Sequence, residues 1–194
     1  MIPLALLLLV SIYIFFERLF ATSRATKADN NFMQQIKNLI QSGKIDEAKQ
    51  LCETTNTPYS RMIEKGVSRI GRPMNDVLVA IENVGNMEVA KMERGFNWLA
   101  TTAAGAPMIG FLGTVTGMVR AFYHLAEAGQ NSNVSLLASG IYEALVTTVA
   151  GLVVGILALF AYNYLNTLLD RVVNEMESKT LEFMDLVETN DKIK

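Results

Sequence analysis

The chain has 194 residues, of which 51% are hydrophobic, and a formal charge of −2 at pH 7. Its apolar residues are concentrated in blocks and are not spread with the periodicity of a soluble domain, so a water-soluble globular protein is excluded. The near-zero charge gives no sign of a nucleic-acid partner. The single cysteine, Cys52, cannot form an intramolecular disulfide and is expected to be an ordinary thiol.

The first apolar block, Met1–Phe16, predicts a membrane helix whose N-terminus lies outside the cytoplasm. No positive side chain precedes the block, whereas Arg18, Arg24 and Lys27 follow it. This is the reverse of the charge order in a signal peptide, and it puts the following segment in the cytoplasm. The block is short for a span of about 20 residues. Either the helix continues past Phe16, giving a span over residues 1–20 with Arg18 reaching the interface, or further residues precede this numbering.

Residues 21–95 are predicted to form a cytoplasmic helical domain. Three short helices are indicated by apolar side chains at helical spacing and by stop signals, with the first ending at Gly43, the second before Pro58 and the third at Gly71. No internal repeat period is present. We therefore interpret the segment as a helical stalk that packs against itself and against neighbouring subunits.

A longer helix opens at Pro73, since proline suits the first turn of a helix. The sequence shows no break after it until Gly105 and Pro107. We therefore expect the last cytoplasmic helix to run straight into the second span.

Two later stretches are each long enough to cross a bilayer. No charged residue lies between Arg94 and Arg120, and Glu143 is the only one between Glu127 and Asp170. Both stretches exceed the roughly 20 residues that a membrane helix needs. The predicted order is a second span over 96–122, an external loop over 123–133, a third span over 134–169 and a cytoplasmic helix over 170–194. The apolar stripe of that last helix is expected to lie beside the helix that opens at Pro73.

Catalytic and metal-binding patterns are not found. Cys52 has no second cysteine or histidine near it in the sequence, and the single histidine, His124, is expected to be a surface residue at the membrane edge. A Gly-rich phosphate loop, HExxH and GxSxG are all missing from the sequence. We therefore predict no catalytic residue, no cofactor and no metal ion, and a protein that is not an enzyme.

Glu143 is the charged residue of the predicted third span, and its presence in an apolar stretch requires an explanation. It lies about nine residues into the third span, roughly 14 Å along the helix axis. An acid near mid-membrane costs about 2.5–3.5 kcal/mol, and such residues are candidates for function. A carboxyl group taken out of water favours its neutral form and can load and release a proton. The alternative is structural, since Glu143 can also bond a neighbouring helix and hold a bundle together.

The surroundings of Glu143 favour a role in ion conduction. Ser139 and Thr147 are spaced by four from Glu143 and share its helix face, while Thr148 is displaced by more than a right angle and is expected to reach a different neighbour. One acid with hydroxyls suits protons. Sodium is the alternative conducted ion, because Thr114, Thr147 and Thr148 offer oxygen ligands. A chain with three spans and one acid is expected to surround a central space as an oligomer.

The second span carries a matching face of small residues. Pro107, Gly110, Thr114 and Gly117 lie on one side, and Gly113 with Gly117 forms a small-xxx-small pair that allows close helix packing. Pro107 frees one backbone carbonyl for water or a side chain. We interpret Pro107, Gly110 and Gly117 as pore packing or hinge positions.

The segments "GAPMIGFLGTVTGM" and "SGIYEALVTTVAGLVVGILALFAYNYL" resemble the ExbB/TolQ/MotA proton-channel family, and most closely its ExbB and TolQ branch. The resemblance covers nearly the whole chain. It implies an all-α integral membrane protein with three transmembrane helices, long helices extending into a cytoplasmic helical domain, and a pentameric ring around the single helices of an ExbD/TolR-type partner. It also implies a proton pathway through Thr114, Glu143 and Thr148, to which the shared face adds Thr147.

The function implied by this resemblance is that of a proton-channel or stator subunit. It would use the proton motive force in the inner membrane of a Gram-negative bacterium, with the N-terminus and the 123–133 loop in the periplasm, to energise TonB-dependent import. The alternatives are a TolQ-like role in envelope maintenance, a motility role, or a membrane scaffold that conducts nothing. The short N-terminus departs from the family pattern and leaves open any contact of this region with a TonB-type protein.

Overall fold

The structure, a computed structural model, describes residues 1–25, 31–128 and 134–191. Every regular element in these ranges is a helix, which agrees with the predicted all-α class. The seven helices are α1 (Ile2–Ala25), α2 (Phe32–Gln41), α3 (Ile45–Thr55), α4 (Pro58–Val67), α5 (Met74–Met92), α6 (Phe96–Ala128) and α7 (Val134–Asp191).

The chain divides into two compact units. The apolar unit comprises Met1–Arg18 and Gly95–Leu165, and the bundle unit comprises Leu19–Arg94 and Asn166–Lys194. The first and last helices each contribute to both units, because α1 and α7 continue past the boundary residues.

Among the described residues, three helices are long and apolar enough to cross a membrane, as predicted. The candidate spans are Ile2–Ser23, Phe96–Glu127 and Leu137–Thr189. The first helix continues past Glu17 and Arg18 to Ala25, so α1 has the length of a full span. The third helix has 58 residues and is about 85 Å long, well over the roughly 30 Å of hydrocarbon, so part of α7 extends beyond a bilayer. The side of the membrane on which each segment lies stays a prediction.

The expected continuous helix from Pro73 into the second span is wrong. Helix α5 ends at Met92, and α6 begins at Phe96 after a turn in which Gly95 has a φ of +96°. This left-handed conformation is typical of a glycine that ends a helix and is costly for other residues. A Cβ atom on Gly95 would also lie 3.3 Å from Cγ2 of Ile14. Conversely, α6 passes through Pro107 without ending.

The short helices of the bundle unit begin and end close to the predicted signals. Helix α3 ends at Thr55, with Asn56 in the left-handed conformation at φ +45°. Helix α4 then starts at Pro58, and the Thr57 and Ser60 side chains cap each other's backbone amides in a capping box. This turn reverses the chain between α3 and α4.

The core of the bundle unit includes the last part of α7. Phe183 and Ile81 are fully buried, and a Cβ atom on Gly66 would lie 2.5 Å from Cε1 of Phe183 and 2.8 Å from Cδ1 of Ile81. Gly66 in α4 therefore allows the Phe183 ring to pack directly on the helix backbone. Because Ile81 belongs to α5, the prediction that the tail lies beside the helix opened at Pro73 is confirmed.

Cys52 is fully buried in α3. Burial, together with the nearby Glu64 and Glu53 carboxylates, raises the pKa of the Cys52 thiol to about 12. Because the thiolate is the reactive form, we expect the folded protein to resist maleimide labelling at pH 8 and to become labelled after denaturation. Rapid labelling of the folded chain would show that α3 packs differently.

Glu88 anchors α5 to the turn between α3 and α4. Its carboxylate is 4% exposed and accepts hydrogen bonds from Arg61 Nη2 at 2.5 Å and Lys91 Nζ at 2.6 Å. Arg61 Nη1 also donates to the side-chain oxygen of Asn56 at 2.6 Å. Burial alone would raise the pKa of Glu88, but the hydrogen bonds and charges of Arg61 and Lys91 outweigh it and lower the pKa.

Replacing Glu88 with alanine is expected to lower the free energy of unfolding by about 1.5–3 kcal/mol, the usual range for hydrogen bonds to a charged group. Because the pKa is lowered in the folded state, the contribution is present above the unfolded carboxyl pKa and lost as pH falls through the folded value. A second variant, Glu88→Gln, removes only the charge. The difference in melting temperature between wild type and Glu88→Gln, measured in detergent, should therefore become smaller as the pH falls. The control Glu182→Ala removes an exposed pair with Lys179 and should change stability by under about 0.5 kcal/mol.

Candidate functional site

The candidate site lies where α6 and α7 cross in the apolar unit. A Cβ atom on Gly110 would lie 2.9 Å from the carbonyl oxygen of Thr147 and 3.1 Å from Cα of Gly151. A Cβ atom on Gly151 would lie 2.6 Å from the carbonyl oxygen of Ala106. The two backbones are therefore in direct contact, because neither glycine places a side chain between them.

Small residues continue this crossing in both directions. A Cβ atom on Gly117 would lie 2.9 Å from Cβ of Ala144, and one on Gly155 would lie 2.6 Å from Cγ of Pro107. A Cβ atom on Gly140 would lie 2.6 Å from Cβ of Ala121. The α6 face predicted from the sequence thus packs on α7.

The partner residues on α7 are Gly140, Ala144, Gly151 and Gly155, which form two small-xxx-small pairs. Gly140, Ala144 and Gly155 were not predicted, although that spacing could have identified them.

Three threonine hydroxyls cluster at the centre of the crossing. The Thr114 and Thr148 hydroxyls are hydrogen-bonded to each other across the two helices. The Thr148 hydroxyl also lies 3.1 Å from the carbonyl oxygen of Gly110 and can donate to it. Thr147 donates to its own helix at the carbonyl of Ala144, at 2.6 Å, with the Gly110 carbonyl at 3.3 Å.

Thr148 hydrogen-bonds α6 whereas Glu143 bonds no described residue, so the expected difference between these two side chains is present, and Thr147 reaches the same α6 carbonyl as Thr148. Both hydroxyls lie within hydrogen-bonding distance of the same Gly110 carbonyl. The close approach at Gly110 brings one α6 carbonyl between two consecutive α7 side chains. Each hydroxyl has one proton to donate and can also accept, so the cluster holds alternative hydrogen-bonding patterns.

Glu143 lies outside this hydroxyl cluster. Its neighbour Ala144 packs on Gly117, whereas the Glu143 side chain is exposed, as are Ser139 and Tyr142. Within the part of the chain that the structure describes, Glu143 forms no hydrogen bond or ion pair. An acid in a lipid-exposed position is costly, so this carboxylate requires water or another protein surface to face it.

His124 lies near the end of α6. Its side chain is exposed, with Nδ1 3.7 Å from a Glu127 carboxylate oxygen. Within residues 1–25, 31–128 and 134–191, no group of three or more His, Cys, Asp or Glu side chains is arranged to hold a metal ion.

The crossing of α6 and α7 lies within a region that matches a known family. Residues 54–178 match the MotA/TolQ/ExbB proton channel family. The chain belongs to this family. The resemblance noted in the sequence is therefore confirmed, and the family match includes Thr114, Glu143, Thr147 and Thr148.

Similar proteins carry the name ExbB. A protein named as an ExbB homolog in biopolymer transport, from Methanothermobacter thermautotrophicus, is 31% identical over 140 residues, which are 72% of this chain and 49% of that protein. An ExbB-like biopolymer transport protein from Synechocystis sp. is 31% identical over 190 residues, 96% of this chain and 71% of that protein. The biopolymer transport protein ExbB of Neisseria gonorrhoeae is 42% identical over 95 residues, 48% of this chain and 43% of that protein. The chain thus spans about half or less of the first and third relatives.

Proposed function

We propose that this chain is the proton-conducting subunit of a ring-shaped motor in the inner membrane of a Gram-negative bacterium. With an ExbD/TolR-type single-span partner, it would use the proton motive force to energise TonB-dependent import across the outer membrane. The observation that carries the proposal is an exposed carboxylate, Glu143, one turn from a hydroxyl cluster within an apolar helix pair.

The exposure of Glu143 supports an assembly around it. An acid in a membrane span that forms no hydrogen bond or ion pair within the described chain is stabilised by water or by a protein neighbour. A ring of copies around a partner helix supplies both, because it excludes lipid from the enclosed face. We propose a pentamer, with Glu143 facing the enclosed space.

The hydroxyl cluster supports protons as the conducted ion. The Thr114 and Thr148 hydroxyls can each donate and accept, so the hydrogen bond between them can reverse without moving the backbone, whereas Thr147 donates to backbone carbonyl oxygens. The close contact at Gly110 and Gly151 holds the hydroxyls in place. We therefore propose that a proton taken up at Glu143 passes along this side of the α6–α7 pair.

The charge pattern and the names of the relatives support the remaining parts of the proposal. We propose that the N-terminus and residues 123–133 face the periplasm and that the bundle unit is cytoplasmic, because Lys and Arg are concentrated there. The three relatives are named for biopolymer transport, which is compatible with TonB-dependent import and with a TolQ-like role.

Proton flux in proteoliposomes tests this function. Vesicles with an imposed pH gradient would contain the chain with its ExbD/TolR-type partner, the chain alone, the partner alone, or neither. We expect the gradient to dissipate fastest with both proteins present. A flux that responds to a sodium gradient and not to a pH gradient would replace the proton with sodium, and equal leak in all four samples would reject conduction.

A non-conducting scaffold is the second candidate, since the exposed Glu143 could also hydrogen-bond a neighbouring helix. The two functions differ in what the loss of the carboxylate does. A scaffold loses its assembly, whereas a channel loses flux and keeps its assembly.

A further inference from the structure

The bundle unit carries an open groove between α5 and the last part of α7, with a volume of about 480 Å³. On α5 the lining residues run from Leu78 to Val89, and on α7 from Val173 to Leu181, in both cases with the spacing of one helix face. The two stripes are about 16 Å and 12 Å long at 1.5 Å per residue. A helix of about three turns matches that length.

The floor of the groove is apolar and adaptable. A Cβ atom on Gly85 would lie 3.0 Å from Cε of Met62 and 3.9 Å from Cε of Met176, so two methionine tips meet where Gly85 leaves space. Methionine is flexible and polarisable, and it is common on surfaces that accept helical partners. Leu181 stands at the rim of the groove with 66% of its surface exposed, so it extends the apolar floor outward.

The walls of the groove are negative. Glu82 comes from α5 and Glu177 from α7, and both side chains are exposed. Within the described residues neither forms an ion pair or a hydrogen bond, and no lysine or arginine lines the groove. Two unpaired carboxylates therefore flank an apolar floor from opposite walls.

We propose that this groove binds a cationic amphipathic helix of another protein. The apolar stripe of that helix would lie on the methionine floor, as in other helix-in-groove complexes, with lysines or arginines between Glu82 and Glu177. Opposite charges on the two sides would select the partner and set its register. This inference goes beyond the proposed function, because it concerns the bundle unit and does not involve Glu143.

Accessibility of the groove in the assembled protein is the first test. A cysteine in place of Leu181 is a suitable reporter, because the native Cys52 is buried. We expect Leu181→Cys in the detergent-solubilised full chain to react with maleimide as fast as Met87→Cys, an exposed position outside the groove. Protection of Leu181→Cys to the level of Cys52 would mean that another copy of the chain covers the groove, and it would overturn the proposal.

Peptide binding is the second test. The probe is a synthetic amphipathic helix with a leucine stripe flanked by lysines, and the matched probe has glutamates in their place. We expect the lysine peptide to protect Leu181→Cys, and Glu82→Lys with Glu177→Lys to weaken its binding about tenfold or more while strengthening binding of the glutamate peptide. The control reversal, Glu47→Lys with Glu53→Lys on α3, should leave binding unchanged. Equal binding by all variants would reject charge-guided docking in this groove.

Discussion

Replacing Glu143 with glutamine is expected to reduce proton flux to the level of empty vesicles while leaving the complex the same size. Glutamine keeps the volume of the side chain and its polarity, with an NH2 donor in place of one oxygen, but it cannot take up or release a proton. Since the Glu143 side chain is exposed and bonds nothing within the described chain, its loss does not disturb the contact between α6 and α7. Flux in proteoliposomes and size-exclusion chromatography of the same preparation measure the two effects separately.

The control for this experiment is Glu127→Gln. Glu127 is an exposed carboxylate near the end of α6, so its replacement changes the net charge by the same amount. We expect its flux to equal that of wild type. If Glu143→Gln loses both its proton flux and its assembly, the scaffold function is favoured. If its flux is unchanged, the proton path does not include Glu143 and would instead involve the partner and the threonines.

Gly151→Ala is expected to destabilise the protein strongly, although it adds only one methyl group. The new Cβ atom would lie 2.6 Å from the Ala106 carbonyl oxygen and 2.9 Å from Cα of Gly110, which are both backbone atoms. A backbone cannot move aside as a side-chain tip can, so the two helices must separate. Overpacking of this kind costs about 1–3 kcal/mol, which corresponds to a melting temperature roughly 2–12 °C lower for a chain of this size.

Gly105→Ala is the matched control, because it makes the same chemical change one residue before Ala106. A Cβ atom on Gly105 meets nothing within 4 Å. Alanine is a better helix former than glycine by about 0.5–1 kcal/mol, so the control should melt at the same temperature or slightly higher. Thermal melts of both variants in one detergent give the comparison. An unchanged melting temperature for Gly151→Ala would show that α6 and α7 are further apart than described.

Several features of the fold follow from short stretches of sequence. The three spans are predictable because transfer of a charged side chain into hydrocarbon is costly, so long charge-free stretches have few alternatives. The face of α6 that carries Gly110 and Gly117 is predictable from the spacing of small residues. Glu143 is conspicuous for the same reason as the spans, since it is a single acid in an apolar run.

Other features require the contacts themselves. A glycine such as Gly95 can lie inside a helix or end one, and only the backbone shows the left-handed turn that follows α5. The Arg61–Glu88 pair joins residues 27 apart, and nothing in the local sequence of either residue identifies the other. The groove above Gly85 exists because α4, α5 and α7 meet there.

The sequence by itself determined the class of this protein, its three apolar spans and its membership of the proton channel family, because hydrophobic length and motif spacing are local properties of the chain. Only the tertiary structure decided that Thr147 and Thr148 share the Gly110 carbonyl and that Glu143 is exposed and hydrogen-bonds neither of them. Those relations depend on how closely and at which rotation two helices cross. Crossing is set by backbone contact at Gly110 and Gly151, which are 41 residues apart in the chain.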